Sequence, residues 1–290
     1  MVSSALPASV PVESSAARPR WFDRTVVDIV VVVAALVVFN LTAHFAPTPV
    51  AVAAVPVGAL LLVAFARARG VHWADLGLSN LGRGARHGAA AAAVTLAVVA
   101  IAASIPFTQS AFLNERYGVN VGATLVAALV IIPLQTVIPE ELAFRGVLHA
   151  KLSRRFGFRG VAIIGSLLFG LWHVASSLGL TVGNDGFSAV LGTGLFGQIV
   201  GVCGAVAGTT VAGFVFTWLR HRGRSVLAPI GLHWALNGAG ALAALLEAVP
   251  TALRVALEIA ARLLDPAQRE AEADLDGLPG AGRSGPHDAE

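Results

Sequence analysis

Seven stretches of this chain, at about 26–45, 48–66, 87–107, 119–150, 160–181, 190–219 and 226–247, are apolar over close to 20 residues or more and almost free of charge. A hydrocarbon layer roughly 30 Å thick needs about 20 apolar residues per helix, which is the length repeated here. Backbone in lipid must satisfy its own hydrogen bonds, so these Ala-, Val- and Leu-rich runs are expected to be helices. A membrane β-barrel would need short alternating segments, and none are visible. Composition closes off the soluble alternatives. Apolar residues make up 56% of the chain and charged residues 13%, half of the roughly 25% that covers an ordinary soluble domain. Cys203 is the sole cysteine, so neither an intrachain disulfide nor a cysteine metal cluster can form. The net charge of +3 is scattered over short segments, which excludes a nucleic-acid footprint. The fold class expected is all-α, a polytopic transmembrane helix bundle of about seven spans, with an eighth as the alternative.

The basic residues orient the bundle. Arg18, Arg20 and Arg24 precede the first span, and the loop after it carries none. Arg67, Arg69, Arg83 and Arg86 follow the second span, and only Arg116 follows the third. Lys151, Arg154, Arg155 and Arg159 come next, then a loop without basic residues, then Arg220, Arg222 and Arg224. This alternation is the positive-inside pattern of a multi-pass protein of the cell (plasma) membrane with a cytoplasmic N-terminus. Residues 1–24 read as a cytoplasmic polar tail, without the apolar core of a cleavable signal peptide. Residues 25–70 hold two transmembrane helices, and 71–248 the remaining core. Within 249–264, Arg254, Glu258 and Arg262 make one charged stripe on an apolar helix, expected to lie in the interface. Residues 265–290 gather seven of the 17 carboxylates among Gly and Pro, as expected of a disordered acidic tail.

Few ionisable groups fall inside spans, and each is a functional candidate because a charge at mid-membrane costs roughly 2.5–3.5 kcal/mol or more. They are Glu140, Glu141 and Arg145 in the fourth span, His173 in the fifth and His233 in the seventh. Glu141 and Arg145 are i,i+4 neighbours able to pair on one face, while Glu140 projects about 100° away. His233 and Asn237 repeat the i,i+4 spacing. Counted from the cytoplasmic ends, Glu140, His173 and His233 lie roughly 15, 20 and 11 Å deep. That places a polar layer in one cavity expected to open toward the cytoplasmic side. A carboxylate, two imidazoles and an amide suit hydrolysis, with Glu as base toward water and His or Asn donating to an oxyanion.

These residues resemble a known family. Pro-Glu-Glu-Leu-Ala-Phe-Arg-Gly at 139–146 resembles the EExxxR motif of the CPBP (also ABI) intramembrane proteases, which include the CAAX prenyl endopeptidases of the Ras-converting type. Phe169–His173 is similar to its FxxxH motif and His233–Asn237 to its HxxxN motif, in the same order. The resemblance covers roughly residues 70–247, and marks 71–248 as the protease core. It implies Glu140 as catalytic base with His173 as its partner, His233 and Asn237 as the oxyanion site, and Glu141 and Arg145 as supports. It leaves the metal open: the chain lacks His-Glu-x-x-His, yet Glu140, His173 and His233 would make a one-carboxylate, two-histidine zinc site if a metal is used. The balance favours metal-free chemistry, with zinc as the alternative cofactor. The implied partners are a membrane-anchored protein or peptide substrate and the bilayer, with no nucleic acid and an unassigned oligomeric state. In eukaryotic members the substrate is a prenylated CaaX tail.

Other readings compete. A transporter or proton relay would also bury Glu and His, but no inverted repeat is visible. A non-catalytic scaffold or immunity member of the family would not need the intact polar set. A rhomboid-like serine site lacks its Gly-x-Ser-x-Gly, and no span carries paired aspartates. His149 reads as interfacial, and His44, His72, His87 and His221 as solvated. Gly197, Gly201, Gly204 and Gly208 read as close helix packing, with Cys203 a small packing residue among them. Trp172 and Trp234 adjoin the histidines, where aromatic packing alone would account for them.

Overall fold

The computed structural model describes residues 23–105, 120–182, 185–239 and 241. The polar N-terminal tail, the loop with Arg116, the interfacial helix and the acidic tail lie outside these residues. Among the described residues the chain is helical and has no strand. Helix α1 is Arg24–Phe45, α2 is Thr48–Ala68 and α3 is Leu81–Ala103. Helical structure then runs from Val121 to Trp172, but Gly157 breaks it with φ 63° and ψ −170°, a backbone region open essentially to glycine alone. We therefore treat 121–156 as α4 and 158–172 as α5. A short α6, Asp185–Leu191, precedes α7, Leu195–Gly223, and α8 covers 227–239.

The Gly157 break makes a hairpin. Phe144 meets Phe169 at 5.2 Å between ring centroids and Trp172 at 5.5 Å, and Trp172 bonds Glu140. These pairs are centred on residues 156–158, so α4 and α5 run antiparallel.

Local chemistry sets several ends. Asp23 caps α1 by accepting from the Thr25 amide at 2.9 Å, and Asn120 caps α4 through Ala123 at 3.0 Å, each satisfying an otherwise orphaned donor. Within α4 the helix is wound wide, as a π-helix, over Ala127–Val137 and Leu142–Leu148, on either side of a tighter turn at Ile138–Glu141. Pro133 and Pro139 contribute no amide hydrogen and crowd the preceding turn, which disfavours regular α winding there.

The helices turn apolar side chains outward and polar ones inward, the arrangement a lipid solvent selects. Val30, Val94, Ile101, Leu129, Leu171 and Val211 are exposed, while Asp28, Glu140, Glu141, Arg145, Lys151 and His233 are buried. The apolar core joins Val32 and Leu36 of α1, Leu62 and Ala66 of α2, Phe144, Val147 and Leu148 of α4, Phe169 of α5 and Phe216 of α7. One end is laced by charge. Asp28 pairs with Lys151 at 2.7 Å and with Arg69 at 2.7 Å, joining α1, the end of α2 and α4. The Asp28 carboxylate in turn raises the Arg69 guanidinium above its usual range.

Four expectations need correction. The fifth helix ends at Trp172, not near 181, because His173 leaves helical geometry (φ −86°, ψ 0°) and Gly179 turns the chain at φ 79°. The stretch 190–219 is interrupted at Gly192, whose φ is 75°, so that its first residues belong to the short α6. Arg83 and Arg86 lie within α3, which begins at Leu81. Close packing of α7 falls on only part of the expected set: Gly201 is buried and a Cβ there would meet Thr181 at 3.0 Å. Gly204 and Gly208 have open space beside them and Gly197 meets the preceding turn, whereas Gly213 abuts Ser166 and Gly170 abuts Val206 and Thr210. Cys203 is exposed.

Candidate active site

The two adjacent glutamates of α4 diverge as their 100° separation requires. Glu141 is fully buried and its Oε1 accepts from Arg145 Nη1 at 2.9 Å. Arg145 is sandwiched by aromatic rings, its guanidinium carbon 4.0 Å from the Phe169 centroid and 4.9 Å from that of Phe216. Cation–π contact and the carboxylate together offset the desolvation of this charge.

The same Glu141 oxygen lies 2.9 Å from His233 Nδ1. An ionised carboxylate only accepts, so Nδ1 carries the proton. His233 stacks on Phe216 at 4.9 Å and 25°, which fixes its ring plane. Its Nε2 is then an acceptor, faced by the Asn237 amide nitrogen at 3.3 Å and by Glu140 Oε2 at 3.9 Å. Arg145, Glu141, His233 and Asn237 thus form one chain of polar contacts running from the buried interior toward Glu140.

Glu140 is held differently. Its Oε1 accepts from the indole nitrogen of Trp172 at 3.0 Å, while its buried Oε2 has no hydrogen-bond partner. Asn40 of α1 donates to the Trp172 carbonyl at 2.9 Å, so α1 steadies the turn that places the indole. Glu140, Trp172, His173, Ser176 and Asn237 line a cavity of about 490 Å³ together with His44, Gln135 and Thr136.

His173 shares that cavity. Its Nδ1 donates to the Phe169 carbonyl at 2.8 Å, leaving Nε2 as the basic nitrogen, and its ring packs edge-on to Phe169 at 4.7 Å. Among the described residues, no group of three or more His, Cys, Asp or Glu side chains is gathered closely enough to hold a metal ion. The suggested ligands Glu140, His173 and His233 therefore do not form a ready zinc cage in this arrangement.

Residues 122–239 match the family model described as Rce1-like, type II CAAX prenyl endopeptidase. This stretch is an Rce1-like segment. It contains all three motifs, so the resemblance drawn from them to CAAX-type proteases holds. Neither the curated proteins nor the solved structures compared with the chain gave a match. The Rce1-like segment covers α4 from its second residue, α5, α6, α7 and α8 over 227–239, while α1 and α2 lie outside it, yet α1 supplies Asn40 and His44, and α2 supplies Val52 and Val55, to the site. With five helices long and apolar enough to cross a membrane among the described residues, the chain is an integral membrane protein.

Sequence reasoning placed Glu140, Glu141, Arg145, His173, His233 and Asn237 together but missed three features. Trp172 is a hydrogen-bond donor to Glu140, not only a packing residue. His44, exposed in the last turn of α1 as expected, also lines the cavity. Asn40 had no signal except being an amide inside an apolar run, which is itself a reason to look for a partner.

Proposed function

We propose that this protein is an intramembrane endopeptidase in which Glu140 activates water against a peptide bond. The observation that carries the reading is that Glu140, unlike Glu141, lines the cavity, and does so with its two oxygens differently held. One oxygen is fixed by Trp172, and the other is buried, unpartnered and turned toward the His233–Asn237 pair.

In this reading a water donates to Glu140 Oε2 and to His173 Nε2, both acceptors. The water oxygen attacks the carbonyl carbon as Glu140 takes its proton, and Glu140 returns that proton to the leaving amine. An acid and an amine result. The Asn237 amide has a second hydrogen free for the oxyanion after the one directed at His233 Nε2. Neutral His233 orients Asn237, and would itself donate to the oxyanion only as an imidazolium. Glu141 and Arg145 act through His233 and are positioning residues. Every step uses side chains of this chain and water.

The bundle fits seven crossings if the Gly157 hairpin counts as two and α8 as one, with the N-terminus in the cytoplasm of a cell membrane. The substrate class is a membrane-anchored protein or peptide. Comparing the termini of membrane proteins in cells carrying wild type or Glu140→Gln tests the assignment. New termini present only with wild type support it; identical sets of termini contradict it.

A further inference from the structure

The charged end of the bundle and the mouth of the cavity lie at opposite ends. Arg69 and Lys151 both bond Asp28, Arg154 pairs with Asp75, and Arg220 donates to the carbonyls of Arg145 and Asp75. Gly84 and Gly88 of α3 abut Ser225 and Leu227 at the start of α8. The start of α1, the end of α2, the start of α3, the α4–α5 turn and the α7–α8 turn therefore meet at one end. Arg69, Lys151, Arg154 and Arg220 are there, as are Arg24, Arg67, Arg83, Arg86, Arg155, Arg159, Arg222 and Arg224.

The cavity extends the other way. On α1 it is lined by Ala43 and His44, on α2 by Ala51, Val52 and Val55, on α4 by Gln135, Thr136 and Glu140, and beyond α5 by His173 and Ser176. All of these lie at the level of Glu140 or farther from Lys151, up to the α1–α2 turn. Toward the charged end the path is filled. Residues 143–148 and 150–152 of α4 are all buried, within the apolar core and its ion pairs. Glu140 sits about 16 Å from Lys151 along α4, and that distance is packed side chains.

Basic residues mark the cytoplasmic side. The geometry points to a site that takes water and substrate from the extracytoplasmic face, against the cytoplasmic opening expected from depth alone. Counting residues from one end gives the depth of Glu140; it does not give the end from which water reaches it. Joined to the protease reading above, on which this part rests, the substrate class is a peptide segment presented at the outer surface of the membrane. A cytoplasmic CaaX tail is then on the wrong side.

The test is labelling with a membrane-impermeant maleimide in spheroplasts, in a Cys203→Ser background that removes the sole cysteine. Ser176→Cys reports the cavity, Thr48→Cys the α1–α2 turn and Arg159→Cys the charged end. All three positions are exposed. The expected result is labelling of Ser176→Cys and Thr48→Cys in intact spheroplasts, and of Arg159→Cys only after lysis. Labelling of Arg159→Cys in intact spheroplasts, or of Ser176→Cys only after lysis, overturns the proposal. These readouts do not depend on catalysis. Failure of the enzyme to cut any peptide would count against the protease reading and leave the labelled side decided.

Discussion

Glu140 and Glu141 are neighbours in sequence with opposite duties, and the difference comes from what surrounds each oxygen. Glu141 Oε1 is held by both Arg145 and His233, and Glu141 is fully buried away from the cavity that Glu140 lines, so it holds structure. Replacing it with Gln leaves the Arg145 guanidinium buried without a counter-charge, which should destabilise the protein by about 3–5 kcal/mol, read as unfolding in detergent. Trp172→Phe keeps the ring and removes the donor to Glu140. A hydrogen bond to a charged group contributes about 1.5–3 kcal/mol to stability, so the unfolding midpoint should fall, and the lost orientation of Glu140 should lower kcat about tenfold to a hundredfold. An unchanged kcat would mean that Trp172 only packs. The polar set was legible because charges stand out in apolar runs. Trp172 and Asn40 were not, since an indole or an amide acquires its role from a partner far along the chain.

At the scale of elements, the α4–α5 hairpin brings Glu140 and His173 to one cavity. Its hinge is Gly157, where no neighbour lies near the position of a Cβ. Gly157→Ala therefore isolates the backbone effect, and the strain of φ 63°, ψ −170° predicts a loss of about 1–3 kcal/mol. Thermal unfolding in detergent measures it, and no loss would show that the turn relaxes freely. Helix existence was legible from apolar length alone, because lipid leaves the backbone no other choice. Helix ends were less so. Hydropathy continues through Leu178 and Leu180, so nothing in the apolar pattern announces that the helix stops at Trp172; the turn follows from His173 geometry and Gly179. The glycines of α7 show the same limit, since small residues mark where helices can approach and not where they do.

For the whole molecule, two ends with different chemistry organise everything else. The basic end is tied by the buried Asp28–Lys151 pair, which joins the first helix to the Rce1-like segment. Asp28→Asn should weaken the bundle by about 3–5 kcal/mol by leaving Lys151 uncompensated, seen as a lowered midpoint of unfolding, whereas an unchanged midpoint would show that Arg69 and Lys151 reach solvent unaided. Orientation was legible from the alternation of Arg-rich and Arg-free loops, but the direction of the cavity was not, because it depends on which side chains fill the space beside Glu140. The central claim is that Glu140 makes water a nucleophile. It is tested most directly by the rate at which purified protein in liposomes cleaves a membrane-anchored peptide, wild type against Glu140→Gln. The expected result is a loss of about 10²–10⁴-fold with an unchanged unfolding midpoint; cleavage by Glu140→Gln at the wild-type rate would contradict the mechanism.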